Sequence, residues 1–222
     1  RMGPSTGLPT RTSQGDLLFT HFLGHGDSRQ IVLLPATPEE AFEFGWLAHD
    51  IADEIQIPVF VNSDLDLGMN NWMSDPFDYP EEPMKRGKVL DAESLSAFIE
   101  EHGTWGRYMD VDGDGVPYRT IPGTDHPFSA YFTRGTGHDE FANYSEDPQV
   151  WQDNLDRLAR KHQTARGMVP KPIIEDVDDT DVAFIGVGTV NPAVEEARDL
   201  LAQEGIKTAY MRIRALPFSD EV

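Results

Sequence analysis

The chain of 222 residues is 39% hydrophobic, which is enough apolar material to bury the core of one or two domains. Asp and Glu number 39 against 18 Lys and Arg, and the net charge of −21 argues against nucleic acid or an anionic membrane as a partner. Because the sequence has no cysteine, this chain can supply no disulfide, thiolate nucleophile or iron–sulfur ligand. We find neither a signal peptide nor an apolar run of about 18 residues, and therefore expect a cytoplasmic protein.

The first ten residues read as a rigid loop in which two glycines, two prolines and three hydroxyl side chains follow Arg1. Backbone N–H groups and hydroxyls in such a stretch can form a concavity for an anion, and Arg1 adds a fork that suits a carboxylate. A surface turn explains the same composition equally well. Since no apolar strand precedes this loop, we expect the chain to be a fragment at its N-terminus.

The clearest unit in the first half is a strand, a helix and a second parallel strand. A short helix over residues 16–22 precedes it. The strands are predicted at residues 31–34 and 57–61, and the helix between them ends at Ile55. Thr37 is the expected N-cap of that helix, with Pro38 at its first position and Glu40 completing a capping box. Residues 62–70 follow the second strand, where parallel sheets bind ligands, although an Asp-capped helix start fits them as well.

The middle of the chain is predicted to be irregular, with two helices. Prolines preclude regular structure over residues 75–88, a short helix runs from Asp91 to His102, and residues 104–146 are an excursion with a candidate hairpin. A long amphipathic helix begins after Asp147 and stops at the prolines near residue 170.

A second strand–helix–strand unit follows an acidic linker at residues 175–181. The strands are predicted at residues 182–187 and 208–213, with Asn191 as the N-cap of the helix between them. Since one such unit cannot close a domain, we also expect a truncated C-terminus.

Three short motifs carry candidate chemistry. Residues 110–115 begin like a calcium loop, but Ile121 stands where a bidentate Glu is required, so a tight Asp/Gly turn is the better interpretation. Residues 186–191 read G-x-G-x-x-N, which is unlike a dinucleotide site but leaves an anion at the helix N-terminus open. In residues 133–140, Arg134 and His138 are candidates for anion binding, His138 could instead serve in proton transfer, and a solvated turn is the favoured alternative.

Several longer motifs give the chain a family resemblance. Its opening R-M-G-P-S-T-G-L-P-T resembles the R-x-G-P-S-T-G-x-P-T signature of 2-oxoacid:ferredoxin oxidoreductase α subunits. The resemblance extends through residues 34–42, 63–70, 107–119 and 132–140, and the members that act on 2-oxoglutarate are the most similar.

The resemblance implies an α/β fold and an oxidative enzyme. In this family a 2-oxoacid is oxidised with thiamine diphosphate and coenzyme A, and electrons pass through an iron–sulfur cluster to ferredoxin. The β subunit carries the diphosphate, Mg²⁺ and the cluster, which fits the absence of cysteine here. Residues 1–74 would form the C-terminal part of a pyrimidine-binding domain, and residues 176–222 would form the start of a transketolase C-terminal-like domain. Residues 75–175 would be an irregular and helical connector between the two domains.

The resemblance also implies a substrate-binding site in this chain and assigns the catalytic residues to other segments. The family's signature arginine binds the substrate carboxylate, and Arg1 matches it, with Gly3, Ser5 and Thr6 beside it. The Y-P-I-T-P motif and the glutamate that activates the cofactor belong to a segment upstream of Arg1, so no catalytic residue is expected here. The alternatives are a pyruvate or branched-chain 2-oxoacid enzyme and, from another class, a non-catalytic anion-binding module.

Overall fold

The computed structural model describes residues 14–24 and 26–222, and this part of the chain divides into two compact units. Unit 1 contains the chain up to Ala52, Ile57–Met84 and Ala165–Val222, and unit 2 contains Asp53–Gln56 and Lys85–Thr164. The α/β class predicted from the sequence is confirmed. The three-part domain division stays a prediction.

The first sheet of unit 1 is built on the predicted strand–helix–strand unit. Helix α1 (Gly15–His21) precedes strand β1 (Ile31–Leu33), helix α2 (Pro38–Ile55), strand β2 (Val59–Val61) and helix α3 (Leu65–Met69). Strands β1 and β2 are parallel, as predicted, with Ile31 opposite Val59. All three β1 side chains are fully buried, which explains why this strand reads as an uninterrupted apolar run.

The second sheet of unit 1 follows the second predicted strand–helix–strand unit. Strand β3 (Ile173–Glu175) precedes strand β4 (Val182–Val187), a 3₁₀ turn (Gly188–Val190), helix α6 (Asn191–Gln203), strand β5 (Thr208–Ile213) and strand β6 (Ala215–Leu216). The sheet has the order β3-β5-β4, in which β4 and β5 are parallel and β3 is antiparallel to β5. Strand β6 joins the first sheet, antiparallel to β1.

Two details of this unit correct the sequence prediction. Asn191 is not the N-cap of α6, because the 3₁₀ turn runs directly into the helix and Asn191 has helical dihedrals. The sequence predicts an acidic linker at residues 175–181, but Glu175 is the last residue of strand β3. Strands β3 and β6 are three and two residues long, too short for an apolar period to show in the sequence.

Unit 2 holds helix α4 (Ala92–His102) and most of helix α5 (Pro148–Arg166) around irregular chain. The predicted bounds of α4 are confirmed, because Asp91 caps its start and Gly103, at φ 77°, ends it in the left-handed conformation. Residues 104–146 contain no helix or strand, and the candidate hairpin there is reduced to a single antiparallel bridge between His138 and Tyr144.

A small apolar core holds unit 2 together. Leu90, Leu95 and Phe98 are buried and pack with Trp105 and Tyr118. Among residues 14–24 and 26–222, no helix is long and apolar enough to cross a membrane.

Candidate functional site

A cavity of about 460 Å³ lies in unit 1 beyond the ends of its strands. Leu34 follows β1, residues 62–64 follow β2, and residues 186–190 follow or end β4, so three strand ends meet at this cavity. Helix α1 supplies Asp16 and Leu17 as a further wall. The carboxyl ends of parallel strands are the usual place for a ligand in open α/β sheets, so this cavity is the candidate site.

Asp64 joins the two turns that border the cavity. Its Oδ1 accepts a hydrogen bond from the backbone N–H of Leu67 at 2.9 Å, which caps helix α3. Its Oδ2 accepts from the Thr189 backbone N–H at 2.8 Å and from the Thr189 hydroxyl at 2.6 Å. The Asp-capped helix start at residues 62–70 is therefore confirmed. The same residue lines the cavity, and a ligand-binding role for this loop stays a prediction.

The sequence leaves open that an anion binds at the start of α6. In the structure the negative charge at this position comes from the Asp64 side chain. Gly188 has φ +60°, and a Cβ placed on it would lie 2.7 Å from Asp64 Oδ2, so the glycine lets the carboxylate approach the turn. The Asp64 carboxylate thus takes the position that a phosphate takes in nucleotide-binding turns. A phosphate could bind this turn only by displacing Asp64.

We expect Asp64→Ala to lower the free energy of unfolding by about 2–3 kcal/mol, because it removes charge-assisted hydrogen bonds to three donors. Asp64→Asn keeps one acceptor oxygen and should cost less. Urea denaturation measures both, and Asp66→Ala, in the exposed first turn of α3, is the matched control with an expected change within about 0.5 kcal/mol. Equal costs at positions 64 and 66 would refute this role.

Polar side chains fix helix α1 against the strand ends. The Asn62 amide donates to the Thr20 hydroxyl at 3.0 Å, and that hydroxyl donates to the Asp16 carbonyl oxygen at 2.8 Å. The His21 ring donates from Nδ1 to the Gln30 carbonyl oxygen at 2.8 Å. Burial lowers the pKa of His21, and this hydrogen bond only partly opposes the effect.

The described part of the cavity lining is negatively charged. Asp16 and Asp64 line it, and the lining contributed by residues 14–24 and 26–222 contains no Lys, Arg or His. A carboxylate ligand would therefore need a cation from another segment, since an unpaired anion beside two carboxylates is unfavourable.

The predicted substrate residues Arg1, Gly3, Ser5 and Thr6 lie outside the described residues. Their roles stay predictions.

The other predicted pair, Arg134 and His138, lies in unit 2 around Tyr108. The Arg134 backbone N–H donates to the Tyr108 hydroxyl at 3.2 Å, and the Tyr108 ring stacks on the His138 ring at 4.1 Å. Arg134 Nε donates to the Ala142 carbonyl oxygen, and His138 Nδ1 donates to the Asp139 carbonyl oxygen at 2.8 Å. The turn therefore engages one nitrogen of each side chain, and His138 is buried whereas Arg134 is exposed.

Asp139 is a structural residue of this turn. It accepts hydrogen bonds from the Phe141 and Asn143 backbone N–H groups and from the Asn143 amide at 2.8–2.9 Å. Burial pushes the pKa of its carboxyl up, but these hydrogen bonds outweigh burial and leave the pKa below its usual value. Anion binding by Arg134 and His138 stays a prediction, whereas the Asp139 carboxylate is occupied by Phe141 and Asn143.

The calcium-like motif is a tight turn that holds an ammonium group. Lys88 Nζ lies 2.6 Å from an Asp112 oxygen, 2.8 Å from an Asp114 oxygen and 3.0 Å from the Val116 carbonyl oxygen, and it faces the Tyr118 ring. Burial alone would lower the pKa of Lys88, but the hydrogen bonds to the two carboxylates raise it above its usual value. Among residues 14–24 and 26–222, no cluster of His, Cys, Asp and Glu is arranged to hold a metal ion.

Comparison with known proteins relates this architecture to a family of oxidoreductases. Residues 1–97 match the family described as pyruvate flavodoxin/ferredoxin oxidoreductase, thiamine diphosphate-binding. A 2-oxoacid:ferredoxin oxidoreductase α subunit of Aeropyrum pernix is 31% identical over 98% of this chain and 33% of its own length. A 2-oxoglutarate synthase subunit of Methanothermobacter marburgensis is 29% identical over 99% of this chain and 56% of its own length.

A solved structure agrees with these sequence relatives. The 2-oxoglutarate:ferredoxin oxidoreductase of Magnetococcus marinus, determined with 2-oxoglutarate, coenzyme A and succinyl-CoA bound, matches 98% of this chain and 36% of its own. The TM-score is 0.78 and the sequence identity is 28%.

These comparisons relate the chain to thiamine diphosphate-binding oxidoreductases through residues 1–97 and to a 2-oxoglutarate:ferredoxin oxidoreductase over nearly its whole length. Residues 1–97 match the pyruvate flavodoxin/ferredoxin oxidoreductase family, and relatives similar over nearly the whole chain include a 2-oxoacid:ferredoxin oxidoreductase α subunit and a 2-oxoglutarate synthase subunit. It spans about a third to just over half of the length of these relatives.

Proposed function

We propose that the chain is part of the α subunit of a thiamine diphosphate-dependent 2-oxoacid:ferredoxin oxidoreductase. Its reaction would convert 2-oxoglutarate and coenzyme A into succinyl-CoA and carbon dioxide and reduce ferredoxin. The observation that carries this proposal is the match of 98% of the chain, at TM-score 0.78, to an enzyme determined with 2-oxoglutarate, coenzyme A and succinyl-CoA bound.

The cavity of unit 1 suits one part of this chemistry. Thiamine diphosphate, when bound, supplies the electron sink for decarboxylation. A diphosphate does not fit between Asp16 and Asp64, because two carboxylates repel it, so the diphosphate and Mg²⁺ are assigned to a partner β subunit. The amide and hydroxyl groups of Asn62 and Ser63 fit an uncharged polar edge of a ligand.

Arg1 is proposed to supply the cation that the described cavity lining does not contain. Its guanidinium would hold the 2-oxoacid carboxylate through two parallel hydrogen bonds and so orient the carbonyl carbon for attack. Since the same carboxylate leaves as carbon dioxide, a tighter grip in the ground state would oppose its loss. Arg1 is therefore assigned to orientation of the substrate, with Gly3, Ser5 and Thr6 beside it.

We expect Arg1→Ala to raise the KM for 2-oxoglutarate about 10–100-fold in the assembled enzyme, because two charge-assisted hydrogen bonds are lost. Arg1→Lys keeps the charge without the fork and should give an intermediate KM. Steady-state kinetics with Arg29→Ala, at an exposed position, as the control measures the effect. An unchanged KM in Arg1→Ala would remove Arg1 from the substrate site.

The partners follow from the composition and the family. The chain has no cysteine, so the ligands of an iron–sulfur cluster must come from another polypeptide or segment, which we assign to the β subunit. Ferredoxin is the proposed electron acceptor, and we propose a cytoplasmic location. Arg134 and His138 are proposed as a secondary anion contact in unit 2.

Pyruvate is the second candidate substrate, because the description of the family that residues 1–97 match names pyruvate. Branched-chain 2-oxoacids are a third option. A substrate panel on the assembled enzyme separates them. We expect the highest kcat/KM with 2-oxoglutarate, and a higher value with pyruvate or a branched-chain 2-oxoacid would replace 2-oxoglutarate in the proposal.

A further inference from the structure

Three cationic side chains come together inside unit 2. Arg157 and Lys161 are 8% and 5% exposed, and they lie one helical turn apart on the same buried face of α5. The guanidinium groups of Arg107 and Arg157 both approach the Tyr108 ring, at 5.3 and 5.5 Å from its centroid. Like charges at this spacing repel each other, and burial strengthens the repulsion.

The carboxylates near this cluster are bonded to other donors. Asp110 accepts hydrogen bonds from the Gly115 backbone N–H at 2.9 Å and from Arg160 at 3.0 Å. Asp114 is held by the Lys88 ammonium and by the Val116 backbone N–H. The hydrogen bonds of these two carboxylates therefore go to donors other than Arg107, Arg157 and Lys161.

The cluster also contains unsatisfied donors. Arg107 Nη2 donates to the Gln56 side-chain oxygen at 2.7 Å, but its Nε and Nη1 are buried without an acceptor among the described residues. Arg157 Nη1 reaches the Gly115 carbonyl oxygen at 3.3 Å. Buried donors without acceptors are costly, so the cluster is suited to an additional anionic oxygen.

We propose that Lys161 is a carbamylation site, at which its amine takes up carbon dioxide and the resulting carbamate is held by Arg107 and Arg157. The amine nitrogen lone pair forms a bond to the carbon of carbon dioxide, one C=O π pair moves to oxygen, and the nitrogen releases one proton to solvent. No oxidant or reductant is needed. Dissolved carbon dioxide suffices, so the inference does not depend on the proposed function.

The reactive form of the amine is available near neutral pH. Burial and then the positive charges of Arg157 and Arg107 lower the pKa of Lys161 to about 7, against a smaller opposing effect of Asp110 and Asp114. Carbamylation replaces a third buried positive charge by a negative one. Carbon dioxide is small and uncharged, and it enters a packed site more easily than an ion does.

The experiment uses ¹³C-labelled bicarbonate and ¹³C NMR on the folded protein at pH 8 and pH 6. We expect one carbamate resonance per chain at pH 8 and a smaller one at pH 6, where Lys161 is protonated. The resonance should disappear in Lys161→Arg and persist in Lys171→Arg, whose side chain is exposed. Arg107→Gln should weaken carbamate formation about tenfold, since it removes the donors that hold the carbamate.

Ethylation with triethyloxonium followed by peptide mass spectrometry locates the carbamate in the wild-type protein, so the test does not depend on any variant folding. An ethoxycarbonyl group on Lys161 supports the inference. A resonance that persists in folded Lys161→Arg, trapping at another lysine, or no carbamate in the folded wild-type protein would overturn it.

Discussion

Glu40→Ala is expected to lower the free energy of unfolding by about 3–5 kcal/mol, the cost of breaking a buried ion pair by removing one partner. Glu40 accepts two hydrogen bonds from Arg212 at 2.7 Å and one from Arg214 Nε at 2.9 Å. It also accepts from the Ala36 backbone N–H at 2.8 Å. The Arg212 side chain is only 5% exposed, so the variant would leave a guanidinium buried without its counterion.

Glu39→Ala is the matched control, because Glu39 is exposed and adjacent in the same helical turn, and its change should stay within about 0.5 kcal/mol. Glu40→Gln keeps an acceptor and should fall between the two. Denaturant unfolding measures all three variants. A cost below about 1 kcal/mol for Glu40→Ala would show that Arg212 and Arg214 find other partners.

The same cluster sets the sign of a pH effect. Burial pushes the pKa of Glu40 up, but the hydrogen bonds from Arg212 and Ala36 and the charges of Arg212 and Arg214 hold it below its usual value. Stability from a carboxyl with a lowered pKa is present above its unfolded-state pKa and is lost as the pH falls through the folded-state value. The stability difference between wild type and Glu40→Gln should therefore shrink on acidification.

Gly115→Ala is expected to destabilise unit 2 by about 3–5 kcal/mol, because it adds a steric clash to a strained backbone. Gly115 has φ +80°, a conformation that residues with a Cβ rarely adopt. A Cβ there would lie 2.2 Å from the Lys161 backbone nitrogen and 2.5 Å from the Arg157 carbonyl oxygen. Both are backbone atoms of helix α5, so a side-chain rotation cannot relieve the clash.

Gly113→Ala separates the two causes. Gly113 has φ +75°, but a Cβ on it would meet no atom within 4 Å, so only the backbone strain of about 1–2 kcal/mol remains. Thermal or urea unfolding of both variants gives the difference. Equal costs would mean that helix α5 moves away from the turn without penalty.

Much of the fold was predictable because its signals are local. The apolar run of β1, the Thr37–Pro38 helix start and the Asp91 and Gly103 caps each lie within a few residues of the structure that they determine. Thr37 does cap helix α2, but the Glu40 side chain leaves the capping box for Arg212 and Arg214. A local pattern cannot show that competition.

The candidate site was predictable only in part, because its contacts join distant residues. Asp64 and Thr189 are 125 positions apart, and Glu40 and Arg212 are 172 apart. The sequence placed residues 62–70 at a site edge through the carboxyl-end rule for parallel strands. It carried no signal that the Asp64 carboxylate would fill the turn before α6.

Two motifs that resemble ion-binding loops are occupied by the chain's own charges. The Asp-rich turn at residues 110–115 holds the Lys88 ammonium, and the Gly-rich turn at residues 186–190 holds the Asp64 carboxylate. In each loop the charged side chain lies where an ion of the same sign would bind. Neither motif is therefore evidence for calcium or nucleotide binding, and the proposed substrate anion depends on Arg1.

The measurement that tests the proposed function most directly is ferredoxin reduction by the enzyme assembled from the complete α subunit and its β subunit. With thiamine diphosphate, Mg²⁺, 2-oxoglutarate and coenzyme A, we expect reduced ferredoxin and an equivalent amount of succinyl-CoA, and no reduction when coenzyme A or the 2-oxoacid is omitted. A correctly assembled, thiamine diphosphate-loaded complex that fails to reduce ferredoxin with every 2-oxoacid tested would contradict the proposal and favour a non-catalytic anion-binding module.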